Sequence, residues 1–256
     1  MSDDATTADL LHLRASGVSV VVDLTGGTLP RILHWGADLG DLDGPALQAA
    51  RQGWLPVAHG YPVDGDVEIA VLPQESAGFL GTPGLVGSRA GQDFSTSFVV
   101  GSHHLAANDG GTQRLTVHAR DDAARLALSL VLELTAQGLL RQQATLTNEA
   151  EQVYGLDGLL LTFPVPTVAT ELLDFSGRWA RERSPQRTAF THGTRLRENR
   201  RGVGHPVRFQ ILVEQRHREF TQLQRRHRNA RVRELAPDMV LQHPVERALP
   251  DRARKR

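Results

Sequence analysis

Leu126-Ala127-Leu128-Ser129-Leu130-Val131-Leu132-Glu133-Leu134 carries leucine at every second position. In an extended chain successive side chains point to opposite faces, so these leucines share one face; a helix would scatter them around its surface. Leucine is only a modest strand former, so the period decides the reading rather than the propensity. Upstream, Val18, Val20, Val22 and Leu24 alternate in the same way, which places one face of a second strand in a core. Thr25-Gly26-Gly27, Asn108-Asp109-Gly110-Gly111 and Asp121-Asp122 supply turn chemistry between such runs. The Asn-Asp-Gly-Gly stretch between Leu105 and Leu115 reads as a hairpin loop. Downstream, Gly155 to Pro166 predicts a further strand centred on Leu159-Leu160-Leu161-Thr162-Phe163 and closed by Pro164 and Pro166. Gly81 to Gly91 (GTPGLVGSRAG) has glycines but no lysine and no following helix, and reads as a long loop. Gly44 to Arg51 is the one modest helix candidate. Many short strands with frequent turn signals predict an all-β, antiparallel sandwich over residues 10–202, preceded by a disordered stretch at 1–9.

The composition narrows the class further. The chain has 256 residues, 40% of them hydrophobic, enough to bury a core. It has no cysteine, which excludes disulfides and thiolate metal sites. The opening, MSDDATTADL, is acidic and lacks the charged-then-apolar pattern of a signal peptide. Apolar runs are far too short to cross a bilayer, so a cytoplasmic protein with no membrane partner is expected.

Formal charge sums to zero but is unevenly spread. From Arg201 onward there are 14 basic and 6 acidic residues, a net of +8, which leaves −8 on the first 200. Lys255 is the only lysine, so 28 of the 29 basic residues are arginine. Residues 203–256 read as an irregular, Arg-rich tail, weakly helical at best around Ile211, Leu212, Phe220 and Leu223. The six interleaved acids and the scarcity of aromatics (Phe209 and Phe220 alone) argue against a nucleic-acid arm.

Motifs that could carry chemistry are few. Asp64, Asp66, Glu68 and Glu75 imitate the spacing of a calcium loop, but Ile69 stands where the sharp turn needs glycine. His103 and His104 are adjacent on a strand and point to opposite faces, so they do not share a metal. Asp41 and Asp43 read as turn residues. No nucleophile elbow, phosphate loop or dinucleotide fingerprint is present, and neither a metal nor a cofactor is expected. The richest stretch is Phe175 to Gly202, where Trp179 is flanked by Arg178, Arg181, Glu182 and Arg183. A tryptophan packs on the C–H face of a sugar while guanidinium forks bind its hydroxyls, and a surface salt-bridge ladder accounts for the same spacing.

Gly177-Arg178-Trp179-Ala180-Arg181-Glu182-Arg183, then Thr191-His192-Gly193 and Glu198-Asn199-Arg200-Arg201-Gly202, resemble the N-terminal domain of glycoside hydrolase family 36 α-galactosidases (melibiases). Leu11-His12-Leu13-Arg14, His34-Trp35-Gly36 and Leu146-Thr147-Asn148 are similar to earlier strands of that family. The resemblance spans roughly residues 10 to 202. It implies a β-supersandwich placed before a catalytic (β/α)₈ barrel, in enzymes that remove terminal α-linked galactose with retention. One aspartate is the nucleophile and another the acid/base, both within the barrel in motifs such as Lys-Trp-Asp. No such motif occurs in this chain, so no catalytic residue is expected in it. The resemblance further implies that Trp179 and Arg181 contact an α-galactoside, that an acid among Asp41, Asp43, Asp64 and Asp66 assists in some members, and that members form homo-oligomers. The sandwich is expected to be incomplete, its remaining strands replaced by a tail read out of frame. A free-standing carbohydrate-binding or interaction module is the alternative.

Overall fold

The computed structural model describes residues 9–55, 69–165, 169–178, 181–191, 193–197 and 209–213. Within them the chain is all-β with one α-helix, α1, two short 3-10 turns, and antiparallel pairing throughout. Strands β1 (Leu10–Ala15), β2 (Val18–Asp23) and β3 (Arg31–Ala37) form a three-stranded sheet in that order. A four-stranded meander faces it: β5 (Val99–Ala107), β6 (Gln113–Asp121), β7 (Leu126–Leu134) and β8 (Leu140–Asn148). The predicted period of two is realised on β7, whose five leucines are all at most 2% exposed. Cross-strand pairs Leu115–Leu132, Val117–Leu130 and Ala119–Leu128 continue that inner face onto β6. Leu11, Leu13, Val18, Val20, Val22, Ile32 and Trp35 of the other sheet close the same core. Fully burying one such leucine stabilises by roughly 1.5–3 kcal/mol, so this stripe alone accounts for much of the sandwich.

β2 departs from its expected one-sided burial: all six of its residues are buried. It is the central strand of its sheet, and α1 (Gly44–Trp54) covers the outer face, packing Leu47 on Leu10 and Val21. Asp43 starts that helix by accepting a hydrogen bond from Ala46 N at 2.8 Å, and a proline follows at Pro45. The helix reading of Gly44 to Arg51 is realised and the helix runs on to Trp54, while Asp43, read as a turn residue, is its N-cap. Asn108 and Gly111 close the β5–β6 hairpin as expected, Gly111 N donating to Asn108 O at 3.0 Å.

Three local expectations give way. The stretch 81–91 is not a long loop: Leu85–Ser88 is strand β4, paired with β9 (Gly155–Leu159). Glycine is there because the backbones approach closely; a Cβ on Gly87 would lie 2.6 Å from Gly155 O. The strand expected over Leu159–Phe163 ends at Leu159, and Leu160 and Thr162 instead donate from their N–H groups to Gly84 O and Val71 O. Downstream, Ile211 and Leu212 are not helical. They belong to strand β13 (Phe209–Val213), which pairs with β12 (Gly193–Arg197).

Candidate functional site

The run singled out by sequence lies on a two-stranded ribbon, β10 (Glu171–Arg178) and β11 (Arg181–Ala189). Its register runs from Glu171–Ala189 to Arg178–Arg181, with a bulge between Ser176 and Arg178. Leu172 and Phe190 anchor the base on the main core, and Phe190 N donates to Thr170 O at 3.0 Å. Along one side, Leu173 and Phe175 are exposed, opposite Arg187 and Pro185, and Arg187 pairs with Glu171 at 3.3 Å. The pairing closes at Arg178 and Arg181, so Arg181 begins β11 at the far end from the base. Trp179 and the side chain of Arg181 lie outside the described residues, as do Asp64, Asp66, Glu68 and His192.

Polar chemistry that the sequence did not announce sits on the outer face of the first sheet. Arg14 grips Asp38 with Nε and Nη2 at 2.7 and 2.8 Å. Ser19 Oγ donates to the same carboxylate at 2.9 Å, accepts Leu39 N–H at 3.0 Å, and lies 2.9 Å from His12 Nε2. The Arg14 and Ser19 donors hold the Asp38 carboxyl well below the usual carboxylate range. Partial burial and the nearby Arg14 charge push the His12 imidazole down. Ser19 is fully buried, so this contact with histidine is a structural knot and not an activated nucleophile. Asp41, a candidate sugar contact, is exposed 3.8 Å from Arg14.

A second knot surrounds Asp23, which is 0% exposed. Its Oδ1 accepts from Thr25 N at 2.8 Å, while Oδ2 receives Arg31 Nη2 and Arg51 Nε, each at 2.8 Å. Burial pushes this carboxyl upward, but the Thr25 donors and the two guanidinium groups outweigh it, and the group stays below its ordinary value. The alternation of Val18, Val20, Val22 and Leu24 gave no sign of a role for Asp23. Its partner Arg51 lies 28 residues away on α1, a distance no local spacing reveals. No cluster of three or more metal-ligating side chains occurs among the described residues, and His103 and His104 pair separately with Val117 and Thr116.

The fold is that of an antiparallel β-sandwich domain with an added two-stranded ribbon. The chain belongs to the glycosyl hydrolase family 36 N-terminal domain family, whose sequence profile matches residues 28–222. An α-galactosidase of Escherichia coli is 32% identical over 182 residues, covering 71% of this chain and 24% of that enzyme. This chain therefore spans about a quarter of that relative's length. Among solved structures, a family 36 α-galactosidase from Geobacillus stearothermophilus in complex with raffinose is similar at a TM-score of 0.67 and 18% identity, over 84% of this chain and 36% of that one. The α-galactosidase from Lactobacillus brevis is similar at a TM-score of 0.60 and 19% identity, over 73% and 28%. These two likenesses concern the fold. No helix among the described residues is long and apolar enough to cross a membrane.

Proposed function

We propose that this chain is the N-terminal supersandwich of a cytoplasmic α-galactosidase of the melibiase type. In this reading it presents Trp179 and Arg181 to an α-galactoside bound in a catalytic barrel encoded beyond these 256 residues. The observation that supports the reading is the ribbon: β10 and β11 pair as far as Arg178 and Arg181, the two residues that bracket Trp179 and Ala180 in the matching Gly-Arg-Trp-Ala-Arg-Glu-Arg run. Raffinose and stachyose complexes of the Geobacillus stearothermophilus enzyme support the substrate class. In this role the indole stacks on the sugar and the guanidinium binds hydroxyls, while both hydrolytic aspartates come from the barrel and no cofactor takes part. The homo-oligomer of the resemblance would let one subunit's ribbon serve its neighbour's barrel.

The test is the DNA from codon 201 onward, translated in all frames over on the order of a kilobase, the coding length of a ~250-residue barrel. The expected result is a frame, this one or another, that continues into further strands and a barrel with a Lys-Trp-Asp motif. No such frame, or turnover of raffinose by the 256-residue chain alone, would overturn the proposal. In the reunited enzyme, Trp179→Ala should raise KM for raffinose by roughly tenfold, the loss of one stacking contact of about 1.4 kcal/mol.

A further inference from the structure

A cleft of about 330 Å³ opens where α1 crosses the start of β1, lined by Asp9, Leu10, Thr25, Leu47, Gln48 and Arg51, with Gly44 at its edge. Leu10 and Leu47 are 7% and 6% exposed and give it an apolar floor. The wall is Arg51, whose side chain is only 14% exposed. Asp23 takes the Nε of this arginine at 2.8 Å and shares the same oxygen with Arg31. Among the described residues the two Nη groups of Arg51 have no hydrogen-bond partner, and Asp9 forms no ion pair with it. The guanidinium is thus fixed at one edge by a fully buried carboxylate, with its terminal donors left for something else.

We propose that this cleft is a binding site for a small carboxylate with an apolar body, a ligand such as a substituted benzoate or a branched short-chain acid. The carboxylate takes the Nη donors of Arg51, and the hydrocarbon part lies on Leu10 and Leu47. Three physical reasons select this class. A planar guanidinium fork matches a carboxylate bidentately, and such charge-assisted bonds are stronger than neutral ones. The side chain is already immobilised by Asp23, so binding pays little rotamer entropy. The volume lies at the lower end of small-molecule sites and the floor rewards a ring or branched chain over an inorganic ion. The site is independent of the galactoside reading and is lined by α1 and the start of β1, with no residue of the β10–β11 ribbon in its lining.

The test titrates the full chain with benzoate, benzamide and inorganic phosphate, followed by calorimetry and by amide NMR shifts. Benzamide has the shape of benzoate without its charge, and phosphate has charge without an apolar body. The expected result is benzoate binding in the millimolar range, at least roughly tenfold tighter than either control, with shifts at Leu10, Leu47 and Gln48. Arg51→Lys, which cannot hold Asp23 and offer a fork at once, should remove the preference for benzoate over benzamide. Gln48→Trp fills the cleft and leaves the Asp23 ion pair untouched, so it should abolish binding even if the Arg51 variant does not fold. No benzoate binding, equal binding of benzoate and benzamide, phosphate binding as tight as benzoate, or undiminished binding in Gln48→Trp would each overturn the proposal.

Discussion

Ser19, between two valines of β2, shows how far one residue can depart from what its pattern suggests. Read along the strand it is the polar partner of an apolar face; in the fold it is fully buried and ties His12, Asp38 and Leu39 together. The alternation revealed the inward valines, but not that α1 would cover the other face, because that depends on a helix some 25 residues downstream. The knot has a pH signature. Partial burial and the Arg14 charge favour the neutral form of His12 in the fold, against the opposing pull of Asp38 and Asp41, with His34 adding to the depression. Its folded pKa therefore lies below the ordinary 6.5. The unfolded chain takes up the proton first, so this contribution is complete above about pH 6.5 and is lost as pH falls from there towards the folded value. Asp38 is also depressed, but from 3.8, so its contribution stays intact until the carboxylate range is reached. The urea midpoint should thus be lower at about pH 5.5 than at about pH 7.5, and the difference should shrink in His12→Gln. An equal pH dependence in the variant would assign the effect to other groups.

At the scale of elements, the β7 leucines were legible because nine consecutive residues obey one period, and β6 and β8 followed by pairing. The β4–β9 pair was not, because its glycines imitate a loop. Gly84 and Gly87 have ordinary backbone angles; what requires glycine is proximity. A Cβ at Gly84 would stand 2.9 Å from Leu160 O and 2.8 Å from the Leu72 side chain, and one at Gly87 would meet the Tyr154 ring at 2.6 Å. Close approach across strands is a tertiary fact and leaves no trace in local composition. Alanine at either position should therefore destabilise, on the order of 1–3 kcal/mol, in spite of its lower backbone entropy cost. By contrast, Gly40→Ala has no atom within 4 Å of the new Cβ, and only its φ of +76° opposes the change. Thermal melts of the three variants check this: a Gly87→Ala protein as stable as the parent would mean that β4 and β9 do not approach as described. Helix α1 gives a second measure, since Asp43→Ala removes its cap and should cost about 1 kcal/mol.

For the whole molecule, the sandwich class followed from strand count and turn spacing, whereas the β10–β11 ribbon was announced by neither periodicity nor the resemblance of the Trp-Arg run. No periodicity marks a two-stranded ribbon, because the side chains on its exposed face need not alternate in polarity. The same lack of a local signal hides the surface that the fold leaves uncovered. Tyr154 Oη donates to Asp93 O at 3.1 Å, and the chain neighbours of these two residues, Val153 and Phe94, are 85% and 65% exposed. The backbone there is held at positive φ at Ala90 and Asp93, so Phe94 is presented by a constrained turn. Arg89 fixes that turn from below, bonding to Asp93, Ala124 O and Asn148 and stacking on Tyr154. A phenylalanine presented by a constrained turn, with an exposed valine on the segment hydrogen-bonded to that turn, behaves differently from scattered apolar side chains, which are normal on any surface. The four-stranded sheet also ends in β5 and β8, each paired with one neighbour among the described strands. The 256-residue chain should therefore associate as its concentration rises, seen in sedimentation as a mass above that of the monomer. The double variant Phe94→Ser, Val153→Ser should shift that association to higher concentration while leaving the melting temperature nearly unchanged, because neither side chain contributes to the core. Association unaltered in the double variant would move the cause to the strand edges or to the Leu173–Phe175 side of the ribbon, and a monomer at all concentrations would show that the exposed pair is tolerated by water alone.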